Sequence, residues 1–381
     1  RILKKSEFAG LKIAGGPCVT ENPRPFSKFF DGLFLGEADT LVGKILKGEL
    51  ELYPEFRKRR YWKELPEHPR REIIGEGAFG RALLLEIGRG CVRGCKFCVV
   101  RQLYAPGRWR DKKELLEVAE ENRKFVDKVA LIAPSPSDHP QFEDLIFELY
   151  DLGYRISPSS VRADKISEES LKVLAESGLE SLTFAPETSE RLRKVIGKDL
   201  SDEDILRACE KAKEVGIRKV KLYFMIGIPG EKEEDIEDII KLVEKVAKLK
   251  LRVSVSVNPL VPKPHTPMQW FPFGGDLEKD VKSNVKELER KAKYLKAKLG
   301  RIAEVEVENV RRFAIQTVIS RGDESVSKLI EQKPSFRLIF ELGLDKFLGS
   351  FDVDRELPWE VVEVGYKKKR LLKEFEKIAS A

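Results

Sequence analysis

The sequence predicts an α/β protein centred on a partial (β/α)6 barrel of the TIM type. A partial Rossmann-like segment precedes the barrel and an α+β extension follows it. Three observations carry the prediction. From Arg81 onward, short apolar runs alternate six times with amphipathic helical patterns, the signature of parallel strands joined by crossover helices. The first run leads into "GRGCVRGCKFC", a glycine-rich loop with three cysteines, at the strand end where such barrels keep their chemistry. Near the N-terminal end, "LKIAGG" and "GLFLGE" read as two short buried parallel strands.

Residues 1–48 form the Rossmann-like segment, with strands at 11–16 and 32–37 and a helix from Glu37 to Lys47. Two strands make a poor doubly wound sheet, so further chain is expected before Arg1. Residues 49–79, rich in charge, proline and aromatics, read as a linker. The barrel spans 80–273, with strands at 81–87, 128–133, 154–158, 180–185, 218–226 and 251–257. Asp111, Ser167 and Ser201 stand where helix N-caps belong. The extension, 274–381, opens with a Lys/Glu-rich helix over about 276–299, followed by the strand "IAEVEVEN" and short helices.

The 381 residues are 41% apolar and 35% charged, with Lys+Arg 71 against Asp+Glu 64, a net +7. Lys and Glu dominate that charge, as in thermophile surfaces laced with ion pairs. The positive excess is spread evenly except at "YKKKRLLK", which is either a solvated face or a surface for an anionic partner such as RNA. No apolar run approaches the ~18 residues of a membrane span, and the first residues form no apolar signal segment. A cytoplasmic protein is expected. Five cysteines, three of them clustered, read as metal ligation in a reducing compartment.

Cys91, Cys95 and Cys98 follow C-x3-C-x2-C. Thiolates so spaced can wrap one corner of an iron–sulfur cluster, with Gly90 and Gly94 letting the backbone turn close to it and Phe97 shielding a face. Zinc with His139 as a fourth ligand, or a set of reactive thiols, are the other readings. His265 lies in a proline-rich loop at the active end of the barrel, facing substrate or making a shape-setting hydrogen bond. His68 reads as a surface residue, Cys209 as a core thiol and Cys18 as a loop residue. "RQLYAPGRWR" mixes Arg101, Arg108 and Arg110 with Tyr104 and Trp109, which suits RNA, anionic cofactor groups or the wall of the barrel mouth.

With these motifs the chain resembles the radical S-adenosylmethionine (SAM) superfamily. The resemblance implies a 4Fe–4S cluster on Cys91, Cys95 and Cys98 whose open iron takes the amino and carboxylate groups of SAM. Electron transfer to the sulfonium would release a 5′-deoxyadenosyl radical that abstracts hydrogen from substrate. It further implies that the backbone at Phe97 touches adenine and that Glu187 in "FAPETSERLRK" helps hold SAM. Ile226, Gly227 and Ile228 in "YFMIGIPGE" would pack on adenine, and Ser160 and Arg162 in "PSSVRAD" would meet the ribose or carboxylate. The family's second strand usually ends in Gly-Gly-Glu; here it ends "LIAPSPSDHP", leaving Ser135 or Ser137 to substitute.

The order of parts resembles the cobalamin-dependent branch of that superfamily. The resemblance implies that Gly15, Gly16, Gly36 and Glu37 line a cobalamin, although the branch's Asp-x-His-x-x-Gly segment is absent. "NPLVPKPHTPMQW", "ISRGDESV" and "ELPWEVVEVGY" extend the match. The implied reaction is C-methylation of an unactivated carbon. The alternatives are radical rearrangement or sulfur insertion without cobalamin, or an iron–sulfur protein that binds or modifies RNA. A low-potential donor of the ferredoxin or flavodoxin type is the implied reductant. The substrate, whether protein, lipid, small molecule or RNA, is not named by any motif.

Overall fold

The computed structural model describes residues 10–75 and 79–381. Six strands fall where the apolar runs predict them: β1 (Ala82–Glu86), β2 (Lys128–Ile132), β3 (Arg155–Pro158), β4 (Ser181–Glu187), β5 (Lys219–Ile226) and β6 (Arg252–Pro259). Except between β3 and β4, neighbours in the chain pair in parallel, with Leu83 opposite Val129, Val129 opposite Ile156, Lys221 opposite Thr183, and Lys221 opposite Ser254. The ladder divides into two four-stranded sheets. One is β1–β2–β3, edged by an antiparallel Ile73–Ile74; the other is β4–β5–β6, edged by the parallel β7 (Glu304–Val307). Between β3 and β4, the N–H of Val161 donates to Thr183 at 3.3 Å.

Alternation explains the layering. Along β5, Val220, Leu222, Phe224 and Ile226 are fully buried, while Lys219, Lys221, Tyr223 and Met225 on the other face are only partly so. The buried set packs in one core with residues of the crossover helices α1 (Lys112–Asn122), α2 (Phe142–Asp151), α3 (Glu168–Glu176), α4 (Asp202–Glu214) and α5 (Glu233–Lys248). Burying each such side chain contributes about 1.5–3 kcal/mol. The anticipated caps form: Asp111 accepts from the N–H of Lys113, Ser167 from Ser170, and Ser201 from Asp204 in a reciprocal capping box. Helix α6 (Val281–Leu299) begins later than its charge pattern suggested, because Asp280 caps it by accepting from Ser283. Leu288, Leu295 and Leu299 of α6, Val318 of α7 (Val310–Arg321) and Leu371 of α8 (Lys368–Ala379) join the same core as the six strands.

The N-terminal segment contributes two parallel strands, Ile13–Ala14 and Gly32–Leu33. The Thr20 hydroxyl joins the loops after them, donating to Gly16 O at 2.9 Å and accepting from Gly36 N at 2.8 Å. Gly36 has φ +105°, and a Cβ there would lie 1.9 Å from Arg60 O. Gly36→Ala is therefore expected to cost roughly 2–4 kcal/mol, through left-handed strain and a backbone clash, read as a lower midpoint in urea denaturation.

His68 corrects its surface assignment. It is buried, accepting from the N–H of Glu86 at Nε2 (2.9 Å), so the 49–79 stretch binds the end of β1 through a ring that sequence pattern alone leaves in solvent. No helix of the described residues is long and apolar enough to cross a membrane.

Candidate functional site

The cysteine loop leaves β1 through Gly88–Arg89, which pairs antiparallel with Arg108–Trp109 and so closes the loop at its base. Gly90 takes φ +78°, where a Cβ would lie 2.2 Å from Tyr104 O; only glycine lets the two sides of the loop approach so closely. Cys91, Cys95 and Cys98 line one cavity of about 170 Å³ at the C-terminal ends of the strands. Phe97, Arg93, Ser135, Ser160, Arg162, Glu187 and Lys198 line it as well. Eight residues singled out in the sequence therefore meet in one place: the three cysteines, Phe97, Ser135, Ser160, Arg162 and Glu187.

Burial pushes the Cys95 thiol up, Lys198 opposing and Glu187 and Cys91 reinforcing it. Burial likewise pushes Cys98 up to about 11, against the N–H groups of Val100 and Arg101. Cys95 and Cys98, half-buried beside Cys91, resist ionisation on their own, and a bound metal would deprotonate its thiols outright. Among the described residues no three His, Cys, Asp or Glu side chains converge as ligands of a single ion. Three thiols from one loop lining a single cavity, with no fourth His, Cys, Asp or Glu ligand converging on them among the described residues, suit a polynuclear cluster with an open iron better than a four-coordinate zinc. His139 is not the fourth ligand: it is buried, its Nε2 bonded to Arg110 O at 2.9 Å and its Nδ1 accepting from Gln141 N at 3.1 Å.

Glu187 ends β4 at φ +71°, where the register against β5 shifts between Leu222 and Phe224. A non-glycine residue held there stores strain on the order of 1 kcal/mol, which is found at functional sites when the surroundings enforce it. Its carboxylate accepts from Lys198 Nζ at 2.9 Å. Sequence reasoning missed Lys198, although it closes the same "FAPETSERLRKVIGK" stretch eleven residues on. It also missed Arg93, which pairs with Asp138 through Nε at 2.8 Å. Arg162 is itself held, its guanidinium on Asp164 (2.9 Å) and its N–H on Ser137 Oγ (3.0 Å). Of the two serines considered as substitutes after β2, Ser135 reaches the cavity and Ser137 supports Arg162 from behind.

Ile226, Gly227 and Ile228 do not line the cavity. Ile226 and Ile228 are buried, and Ile228 packs in a cluster against which Phe97 also rests. Gly227, at φ +79°, donates its N–H to Glu231 at 3.0 Å, and Glu231 is in turn paired with Lys291 at 2.9 Å.

A second cavity, of about 530 Å³, opens between the N-terminal segment and the ends of β1 and β2. Gly36, Glu37, Asp39, Glu86, Arg89, Tyr104 and Pro134 line it, and Pro134 also lines the first cavity. Glu37 is committed elsewhere: its two oxygens accept from Arg108 at 3.0 and 2.6 Å. Arg108 and Arg110 are buried among acids, Arg110 on Glu86 at 3.1 Å, so this pair forms an internal wall of the mouth and offers nothing to RNA. Gly15 and Gly16 lie outside both cavities, at the end of the first short strand.

His265 is corrected as a substrate-facing residue. It is fully buried at φ +62°, and neutral it donates from Nε2 to Glu21 O and accepts at Nδ1 from the Tyr366 hydroxyl, both at 2.8 Å. It ties the N-terminal segment to the C-terminal extension. Burial pulls its pKa down to about 4. Its contribution to stability is therefore complete above about pH 6.5 and is lost as pH falls from there toward 4, at about 1.4 kcal/mol per pH unit. Urea midpoints measured at pH 7 and pH 5 should diverge less in His265→Gln than in the native protein. That comparison isolates the imidazole from Glu21, whose carboxyl burial pushes the opposite way.

Comparison with known proteins bears on these observations. The family model described as the radical SAM superfamily matches residues 85–243, from β1 into α5. An uncharacterized protein of Methanocaldococcus jannaschii is 40% identical over 371 residues, spanning 92% of this chain and 81% of its own length. A lipoyl synthase of Pyrobaculum arsenaticum is 28% identical over 203 residues, covering 51% of this chain and 68% of that protein. Among solved structures, the radical SAM methyltransferase TsrM from Kitasatospora setae, bound to tryptophan and a SAM analog, superposes with a TM-score of 0.50. It shares 13% identity over 72% of this chain and 58% of its own, a likeness of fold alone. The matched span begins within the strand that presents the three cysteines and ends beyond the glycine turn after β5, and a chain with both belongs to the radical S-adenosylmethionine superfamily of enzymes, which work with a 4Fe–4S cluster and SAM.

Proposed function

We propose that this enzyme methylates an unactivated carbon, with cobalamin held at the seam between the N-terminal segment and the barrel. The two sheets are then the halves of one partial six-stranded barrel over residues 80–273. Residues 1–48 are part of a cobalamin-binding domain, 49–79 a linker and 274–381 an extension. The observation that carries the reading is the second cavity: it lies at that seam and shares Pro134 with the cavity of the cysteines. When bound, a reduced cluster supplies one electron to the SAM sulfonium, and cobalamin supplies a transferable methyl group.

The chain's residues divide the remaining work. Cys91, Cys95 and Cys98 hold the cluster. Lys198, charged and largely buried beside Glu187, gives the cavity one cation and one anion for the carboxylate and amino group of SAM. Ser160 and the fixed Arg162 offer hydrogen bonds on the opposite wall, and Phe97 excludes water from one side. Cys209 is fully buried on α4 and Cys18 is exposed on the N-terminal segment, which gives no support to a second, sacrificial cluster on these two thiols.

The test is anaerobic reconstitution with hydroxocobalamin, iron and sulfide, then reduction and addition of SAM. Retained corrinoid absorbance together with both 5′-deoxyadenosine and S-adenosylhomocysteine is expected. 5′-Deoxyadenosine alone, from protein that retains no corrinoid, would sink methylation in favour of rearrangement or sulfur insertion.

A further inference from the structure

The basic stretch near the C-terminal end has no part in the site above. It forms α8, which buries Leu371 and Ile378 and sets Phe375 against Trp270 and Phe271, ring centroids at 5.4 and 4.7 Å. The opposite side carries Lys369, Lys373 and Lys377, at i, i+4 and i+8, all exposed and without an ion pair among the described residues. Like charges at that spacing weaken a helix, so the stripe does nothing for the fold that carries it. Glu376 is the one exposed acid of the helix; Glu374 is engaged by Arg370.

The helix sits on the cysteine loop. Arg101 bridges the two, pairing with Glu374 at 3.5 Å and donating to Gly94 O at 3.3 Å. Lys96, between Cys95 and Phe97, donates to Val195 O at 2.7 Å and feels the charge of Lys377. Lys194 stands exposed in the last turn of the adjoining helix Glu190–Val195, paired with Glu190 at 3.2 Å, and Phe97 rests on the cluster that contains Ile378. These cations thus lie on and beside the helix that rests on the cysteine loop.

We infer that this set, formed by Lys96, Lys194, Lys369, Lys373 and Lys377, docks an acidic one-electron carrier protein. The inference rests on the three cysteines holding a redox centre. Opposite charge steers such a carrier and orients it, adding more to association rate and specificity than to final affinity. Phe375, the aromatic of the helix, is turned inward, which leaves the stripe no stacking platform for single-stranded RNA.

The probe is a flavodoxin of low isoelectric point, titrated into the full chain and followed by flavin fluorescence. Saturable binding that weakens as salt is raised is expected, with Kd rising about tenfold or more in Lys373→Glu/Lys377→Glu. Lys245→Glu, a charge reversal on the exposed side of α5, should match the native protein. Equal affinity in the double variant and native protein, or no saturable binding at low salt, overturns the proposal. So does tRNA retention that survives about 200 mM salt and is lost in the double variant while flavodoxin binding is not. Dithionite-driven 5′-deoxyadenosine formation, measured separately, reports on the cluster and is independent of docking.

Discussion

Cys95→Ala is expected to lower 5′-deoxyadenosine formation by ~1000-fold or more, above 4 kcal/mol of activation free energy at 1.36 kcal/mol per decade. The loss is that steep because nothing in the cavity can replace the thiolate. Lys198 and Arg93 are cations, Glu187 is already paired, and the nearest imidazole, His139, is bonded at both nitrogens. Iron and sulfide content should fall with the activity, and the visible absorbance of the cluster with both. Cys209→Ala provides the contrast. That thiol is fully buried on α4, so its truncation should cost about 1–2 kcal/mol of stability and leave iron content and product yield near native. If Cys95→Ala keeps its iron, the cluster is held by some other set of residues and the assignment of the triad fails.

Glu187→Gln is expected to weaken SAM binding by about 10–100-fold, because it discards a charge-assisted hydrogen bond in a partly buried site. Removing the carboxylate leaves the Lys198 ammonium, only 12% exposed, without its partner at 2.9 Å. Lys198→Ala should weaken binding as well, and the double variant should lose less than the sum of the two, since they act as one unit. Calorimetric titration of SAM into the reconstituted chain gives all four affinities. Glu187→Gly separates structure from chemistry. At φ +71° glycine relieves backbone strain of about 1 kcal/mol, against a comparable entropic loss, so the thermal midpoint should move little while SAM affinity drops as in Glu187→Gln. Additive losses in the double variant would mean that the two residues serve different parts of the cavity.

Much of the fold is legible in the chain because it rests on local pattern. The strands stand out through apolar runs, and Ser201 with Asp204 marks the start of a helix through a box that needs only its own four residues. The interruption between β3 and β4 is not legible: which edges pair depends on sheet curvature, and the short β3, four residues long, gives no hint of it. At the site, the cysteines are visible because their spacing is the chemistry. Lys198 is not, since its meaning comes from a carboxylate held in an unusual backbone conformation. His68 misled because its burial rests on Glu86, and polarity alone predicts solvent. His265 takes the shape-setting hydrogen bond of its two readings, to Glu21 and to Tyr366, the latter 101 residues away. Glu37 likewise resembled a ligand-facing residue until Arg108, 71 residues on, accounted for its oxygens.

Pro134 lines both cavities. The two chambers thus share one wall residue. Its ring fixes φ and it offers no N–H, so that shared edge is stiff and adds no donor to either side. Under the proposed methylation, a substrate that gives up hydrogen in one chamber and receives a group from the other would present its reacting carbon at this edge, with its bulk extending away from it.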